Sequence, residues 1–327
     1  MRWISIKCIM ASAICLSLNS FHQPYECNDW GFFGHKKINE LAVFTLPEEM
    51  FGFYKDHIEY LIEHSVDPDK RRYGIVGEAE CHYIDMDRYA TPQEPNPFKN
   101  IPRRWKDAVD KFSEDTLRAH GIVPWHVYLM YTRLTEAFRQ EDVTRILRLS
   151  AEIGHYIGDA HVPLHSTSNY NGQKTNQRGI HGFWESRVPE LFSDEYDFFT
   201  GKATYINAPQ NYIWDRVEES FAATDSVLAI EKELTQNFGE DKKFTYETRG
   251  QANIKVYSEE FTKAYSEKLD GQVERRMRQA IHSIGSFWYT AWVDAGQPQL
   301  GRKNGEINSE TDSVLVKEGK FQVREHE

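Results

Sequence analysis

The chain has 327 residues, 40% of them hydrophobic, enough for a sizeable core, and a formal net charge of −11. So acidic a chain repels phosphate backbones at long range, which argues against nucleic-acid binding through a basic face. An anionic substrate would have to be drawn in locally, for instance by bound cations.

Residues 1–20 carry two cations, Arg2 and Lys7, and an apolar run of eleven, CIMASAICLSL, at 8–18. That is a secretory signal pattern, too short to span a bilayer, and it predicts an exported protein, periplasmic or extracellular. Its removal takes two cations and no acid, leaving a net charge of −13. Cys8 and Cys15 would leave with it, and neither sits in a lipobox. Cys27 and Cys81 remain, able to pair in an oxidising compartment, although two cysteines do not prove a disulfide.

Helical spacing dominates the rest of the chain. His35 starts a helix with Ile38, Leu41 and Ala42 on one face, and DHIEYLIEH places His57 and His64 on a solvated one. DPDKRRYGIVGEAECHYID holds Asp67 and His82, fifteen apart. A Pro-rich loop at 91–102 precedes Pro124, which opens a helix carrying Val127, Met130, Tyr131 and Leu134. Asp142 then caps a helix with Val143, Ile146, Leu147, Leu149, Ile153 and Ile157 at helical spacing. On that helix His155 and Asp159 are four apart and share a face, and Pro163 ends it and returns His165 past its last turn. After a polar loop at 168–179, HGFWE puts His181 and Glu185 four apart again. Ile213, Val217, Phe221 and Leu228 form one further stripe, and Val273, Met277, Ala280, Ile281, Ile284 and Trp288 another. Strand-length alternation is scarce and no internal repeat is present, so the expected fold is all-α, one compact helical domain over residues 30–297. Residues 298–327 read as a polar, solvated tail.

Taken singly, a His/carboxylate pair one turn apart is usually just a hydrogen bond on a helix face. Four segments supplying such groups together form the mixed nitrogen and oxygen set that suits zinc. No HExxH is present, which removes the commonest zinc-peptidase signature. His161, between ligand-type positions, reads as structural, and Phe183 and Trp184 as core packing rather than pocket lining.

With these residues the chain resembles a superfamily over roughly residues 30–295: the bacterial zinc-dependent phospholipases C and the related single-strand-specific nucleases. The family's opening Trp and nearby His are matched by Trp30 and His35, its following Asp and His by Asp67 and His82. Its central His, Asp and His are matched by His155, Asp159 and His165, its last His and acid by His181 and Glu185. The resemblance implies three zinc ions: one held by Asp67, His82, His155 and Asp159, a second reached by Asp159 with His35 and Trp30, a third by His165, His181 and Glu185. It also implies phosphodiester hydrolysis by a zinc-activated water, with Asp67 as the group that orients that water or takes its proton. Glu185 where the nucleases use Asp, and only fifteen residues between His165 and His181, favour the phospholipase C branch, which releases a phosphorylated head group, over the nuclease branch. A zinc-stabilised binding protein without catalysis is the lesser rival; it would lack the open coordination position a catalytic zinc needs. The expected substrate is a phospholipid or other phosphodiester, with transient contact at a membrane surface, no stable nucleic-acid partner, and a monomeric enzyme. In the family the Trp is the mature N-terminus, yet no small-residue cleavage site directly precedes Trp30. Either a second processing step frees its amine, or the extended chain holds that zinc weakly through the Trp30 carbonyl.

Overall fold

A computed structural model describes residues 31–250 and 252–301. The proposed signal, Trp30, Cys27 and the polar tail from 302 onward lie outside the described residues. The chain runs through α1 (Phe32–Val43), α2 (Ile58–His64), α3 (Asp67–Arg71), α4 (Val123–Arg139), α5 (Val143–Ala160), α6 (Pro209–Phe238), α7 (Glu259–Lys268) and α8 (Gln272–Asp294), with further short helices such as Glu48–Asp56 and Trp105–Phe112 between them. The expected all-α architecture is what forms, and among the described residues no helix is long and apolar enough to cross a membrane.

The centre of the fold is α5. Asp142 caps it, its side chain accepting from Arg145 N at 3.1 Å, as the sequence foretells for an aspartate just ahead of an apolar stripe. The helices α1, α2, α4, α6 and α8 pack around it, and every residue from 149 to 160 is buried. Ile153 and Ile157 are fully buried, each contributing about 1.5–3 kcal/mol of hydrophobic stabilisation. A helix enclosed on all sides is normally apolar all round. This one instead carries His155 and Asp159 into the interior, so the surrounding helices must supply partners for them.

Strands are scarce, as expected, and among the described residues they form one hairpin. Phe244–Arg249 (β1) pairs antiparallel with Ala252–Tyr257 (β2), in register from Phe244↔Tyr257 to Arg249↔Ala252. Its signal was legible in FTYETR and NIKVY, where aromatic and β-branched residues alternate around Gly250. An isolated two-stranded hairpin is marginal in water. Here Tyr257 stacks on Phe183 at 3.8 Å between centroids, and Arg187 donates to Tyr257 O at 3.1 Å and to Glu247 at 3.2 Å. The hairpin is thereby clamped to the helical segment that carries Glu185.

Candidate metal centre

Two glycines let α1 reach the buried face of α5. A Cβ on Gly154 would stand 2.0 Å from Asn39 Oδ1, and one on Gly158 would stand 2.8 Å from Ile38 Cδ1 and 3.0 Å from His35 Nδ1. Side chains at either position would push the helices apart. With both absent, His35 Nε2 comes within 3.4 Å of Asp159 Oδ1 and its ring stacks on His155 at 3.9 Å.

The other oxygen of Asp159 belongs to a tighter group. His82 Nδ1 lies 3.0 Å from Asp159 Oδ2 and 3.0 Å from His155 Nε2, and His155 Nε2 lies 3.4 Å from the same oxygen. Asp69 Oδ1 is 3.6 Å from His82 Nδ1 and 3.5 Å from His155 Nε2. A tetrahedral zinc with ligands at 2.0–2.2 Å has ligand–ligand edges of about 3.4 Å. Five edges of this four-atom set fall around that value.

Asp69, and not the expected Asp67, enters this group. Asp67 sits at the start of α3, a third exposed, with one carboxylate oxygen 2.5 Å from His64 Nδ1 and the other taking a hydrogen bond from Lys70 Nζ at 3.0 Å. Residues two apart on a helix point about 200° from one another, so Asp69 turns inward where Asp67 turns out. A spacing of fifteen to His82 selected the wrong member of DPD; the distance that the fold uses is thirteen.

A second group is built from the chain beyond α5. Pro163–Ser166 forms a 3-10 turn alongside 82–84: Ile84 N donates to His165 O at 2.9 Å, and His165 Nδ1 bonds His82 O at 2.6 Å. The polar segment 168–179 is a stitched wall and no loose linker: Asn171 Oδ1 accepts from Gly179 N at 2.8 Å, and Tyr170 O meets His181 Nδ1 at 3.0 Å. His181 then lies in the turn Ile180–Gly182, and Glu185 in the π-helical segment Phe183–Arg187, a rare conformation often found at functional sites. His165 Nε2, His181 Nε2 and Glu185 Oε2 stand 3.1, 3.4 and 2.9 Å apart, three corners of a tetrahedron. These three side chains line a pocket together with His35, Asp69, Arg72 and Asp159.

The residues present fit metal ions. Asp69 Oδ2 is buried with no hydrogen-bond partner among the described residues, and His165 and His181 aim Nε2 at one another from rings whose Nδ1 already rests on a carbonyl. Burial would raise the carboxyls of Asp69 and Asp159, but the charge of His155 and of the other imidazoles holds both well below the usual range. Burial likewise opposes charge on His82, yet its hydrogen bond to Asp159 and the facing carboxylate of Glu78 push it up to about 9. In the metal-free protein this raised group contributes stability that is complete below its ordinary value of 6.5 and is lost as pH rises through about 9. Thermal unfolding in the presence of a chelator should therefore show a midpoint that falls between those limits, and added zinc should remove the fall by taking the proton's place. A flat midpoint in chelator would contradict it.

Other side chains singled out in the sequence take up structural positions. His161 is buried between α5 and α8: Nδ1 donates to Ile157 O at 2.7 Å, Nε2 meets Ser283 Oγ at 3.2 Å, and its carbonyl accepts from Arg276 Nε at 2.8 Å. Phe183 and Trp184 are buried in the core, the latter donating from Nε1 to Gln272 at 3.1 Å. Cys81 is buried, its thiol donating to Gly77 O at 3.2 Å, and Cys27, the cysteine able to pair with it, lies outside the described residues. Three groups escaped the sequence reading: Asp69, the buried Arg72 in the pocket wall, and Glu78 behind His82. All three lie in DPDKRRYGIVGEAECH, whose wealth of charge over so short a stretch was the available signal.

No curated protein sequence matches the chain. Among solved structures, the alpha toxin of Clostridium absonum is similar at 13% identity and a TM-score of 0.45, covering 84% of this chain and 67% of its own. The alpha-toxin of Clostridium perfringens from an avian strain is similar at 14% identity and a TM-score of 0.42, covering 83% of this chain and 65% of its own. The chain thus spans about two thirds of the length of either toxin. Likenesses this distant leave the chemistry to the residues themselves. The family model described as zinc dependent phospholipase C matches residues 34–243, a stretch that begins beside His35 and contains every described residue of both ligand groups. With zinc-type ligand sets inside a match over more than half its length, the chain belongs to the zinc-dependent phospholipase C family, hydrolases of phosphoric esters.

Proposed function

We propose that this enzyme cleaves a phospholipid on the glycerol side of its phosphate, releasing a phosphorylated head group, with three zinc positions in one pocket. Asp69, His82, His155 and Asp159 would hold one ion, His165, His181 and Glu185 another, and Asp159 Oδ1 with His35 a third, completed by Trp30. The observation that carries the reading is that groups of ligand-type side chains, His82 with His155 and Asp159, His35 with Asp69 and His155, and His165 with His181 and Glu185, gather at one pocket lined by His35, Asp69, Asp159, His165, His181 and Glu185. Structural zinc is enclosed, whereas catalytic zinc keeps a position free.

When bound, zinc lowers the pKa of water toward neutrality and neutralises charge growing on phosphoryl oxygens. The chain's own groups do the rest. Asp69 stays ionised, so its Oδ2 can orient an attacking water by accepting a hydrogen bond from it. Arg72, whose Nη1 lies 4.0 Å from Asp69 Oδ1, offers a fixed cation to a phosphoryl oxygen in a protein otherwise acidic. Glu185, drawn up by burial against the pull of His165, balances the positive charge at the set it shares with His165 and His181.

Export by a cleaved signal, a Trp30 ligand given either by an amine freed in a second processing step or, more weakly, by its carbonyl alone, monomeric action and transient contact with a membrane surface complete the proposal. Substrate choice is tested by comparing a short-chain phosphatidylcholine with single-stranded DNA and RNA at equal ester concentration. Faster cleavage of the phospholipid is expected, and a preference for nucleic acid would move the substrate to polynucleotides while leaving the zinc positions intact.

A further inference from the structure

Three of the histidines in the two groups meet the centre in the same way. His155, His165 and His181 rest Nδ1 on the carbonyl oxygens of Ser65 (2.9 Å), His82 (2.6 Å) and Tyr170 (3.0 Å) and turn Nε2 inward. His82 is reversed. Its Nδ1 faces Asp159 Oδ2 at 3.0 Å, while its Nε2 points out of the centre, buried and without a hydrogen-bond partner among the described residues. The group it faces is a carboxylate: Glu78 Oε1 lies 3.6 Å away, an ion-pair distance.

Glu78 is itself held from behind. Arg71 Nε donates to its Oε2 at 2.9 Å and the Tyr156 hydroxyl donates to its Oε1. Arg71 also donates to Glu152 at 2.8 Å and to the Tyr156 oxygen at 3.1 Å, so two acids and a phenol fix one guanidinium. The carboxylate that faces His82 is therefore ionised, buried and unable to swing away.

An imidazole that gives the lone pair of Nδ1 to a cation carries its proton on Nε2. A carboxylate facing that N–H fixes the tautomer and makes the ring a stronger donor than a carbonyl oxygen does. We propose that Glu78 is a positioning residue for the four-ligand zinc site: it sets His82 as an Nδ1 ligand and strengthens this position relative to the one held by His165, His181 and Glu185. At that second position Nδ1 of His165 and of His181 rests on the carbonyl oxygens of His82 and Tyr170, and the carboxylate near His165 Nδ1, Asp159 at 3.9 Å, stands farther off than that carbonyl. The inference rests on the proposed zinc centre.

The test measures zinc affinity on the full-length protein by competition with a chelator, together with the visible spectrum after cobalt substitution. Glu78→Gln keeps the side chain's size and removes its charge. One bound zinc should weaken by about 10–100-fold, the others should hold, and one set of cobalt bands should shift. Glu152→Gln removes the outer partner of Arg71 without touching His82, and should leave every zinc as tight as before. If Glu78→Gln does not fold, Tyr156→Phe, which removes one of the two donors to Glu78, should show a smaller loss in the same direction. Unchanged affinity in the folded variant, or an equal loss in Glu152→Gln, would overturn the positioning role and leave Glu78 a structural brace. Wild-type protein that binds no zinc would instead bring down the zinc centre itself, so the two failures are told apart by the wild-type count.

Discussion

Replacing Asp159 by alanine is expected to remove more than one zinc ion from the protein, whereas replacing Glu185 by alanine should weaken only one. The reason is geometric. Asp159 sends Oδ2 to His82 and His155, at 3.0 and 3.4 Å, and Oδ1 to His35 at 3.4 Å, so one carboxylate serves two ligand groups. Glu185 Oε2 meets only His181 and His165, at 2.9 and 3.4 Å. Alanine at 159 would leave three buried imidazoles turned toward one another with their shared counter-charge gone. Because bound cations supply several kcal/mol of transition-state stabilisation, the loss of turnover should be about three orders of magnitude. Metal analysis after exhaustive dialysis checks the count, and a phosphodiester assay checks the rate. Equal losses of a single ion in both variants would sink the bridging role of Asp159.

The residues of α5 explain why so much of this centre was legible in the sequence. A continuous apolar stripe behind a capping aspartate fixes both the helix and its burial, so His155 and Asp159, four apart on it, had to face one way into the interior. Pro163 fixes the return of His165, and the i,i+4 spacing of His181 and Glu185 survives the π-helical distortion that no propensity announces. Periodicity fails where the element is short. The helix α3 has five residues and no stripe of its own, so nothing local says which acid of DPD turns inward. That is decided by packing: Asp69 is met by His82 and His155, from two other segments, while His64 and Lys70 hold Asp67 at the rim. Glu78 was hidden for the same reason, since its facing partner is the back of a histidine ring whose orientation only the folded chain defines. The closeness of α1 to α5 was written in Gly154 and Gly158, but glycines four apart on a helix carry meaning only once a second helix is known to cross them.

The exchange of Asp67 for Asp69 gives the sharpest expected difference between two neighbouring substitutions. Asp69→Asn keeps the shape of a buried side chain while removing a charge that sits 3.5 and 3.6 Å from the ring nitrogens of His155 and His82. It also replaces an Oδ2 that has no hydrogen-bond partner among the described residues, the atom to which the proposed function gives the orienting of an attacking water. Turnover should fall by about 10²–10³-fold, the scale on which loss of one preorganised electrostatic group acts. Asp67→Asn touches a partly exposed pair with His64 and Lys70, where such contacts are worth about 0–1 kcal/mol and do not reach the pocket. Its turnover should stay within about threefold of wild type, since a loss of that size corresponds to well under 1.4 kcal/mol. Zinc content measured beside kcat and KM separates the causes: Asp69→Asn should weaken one zinc as well as slow the reaction, and Asp67→Asn should do neither. An Asp67→Asn enzyme as slow as Asp69→Asn would return the catalytic role to Asp67 and require α3 to turn when the ions bind.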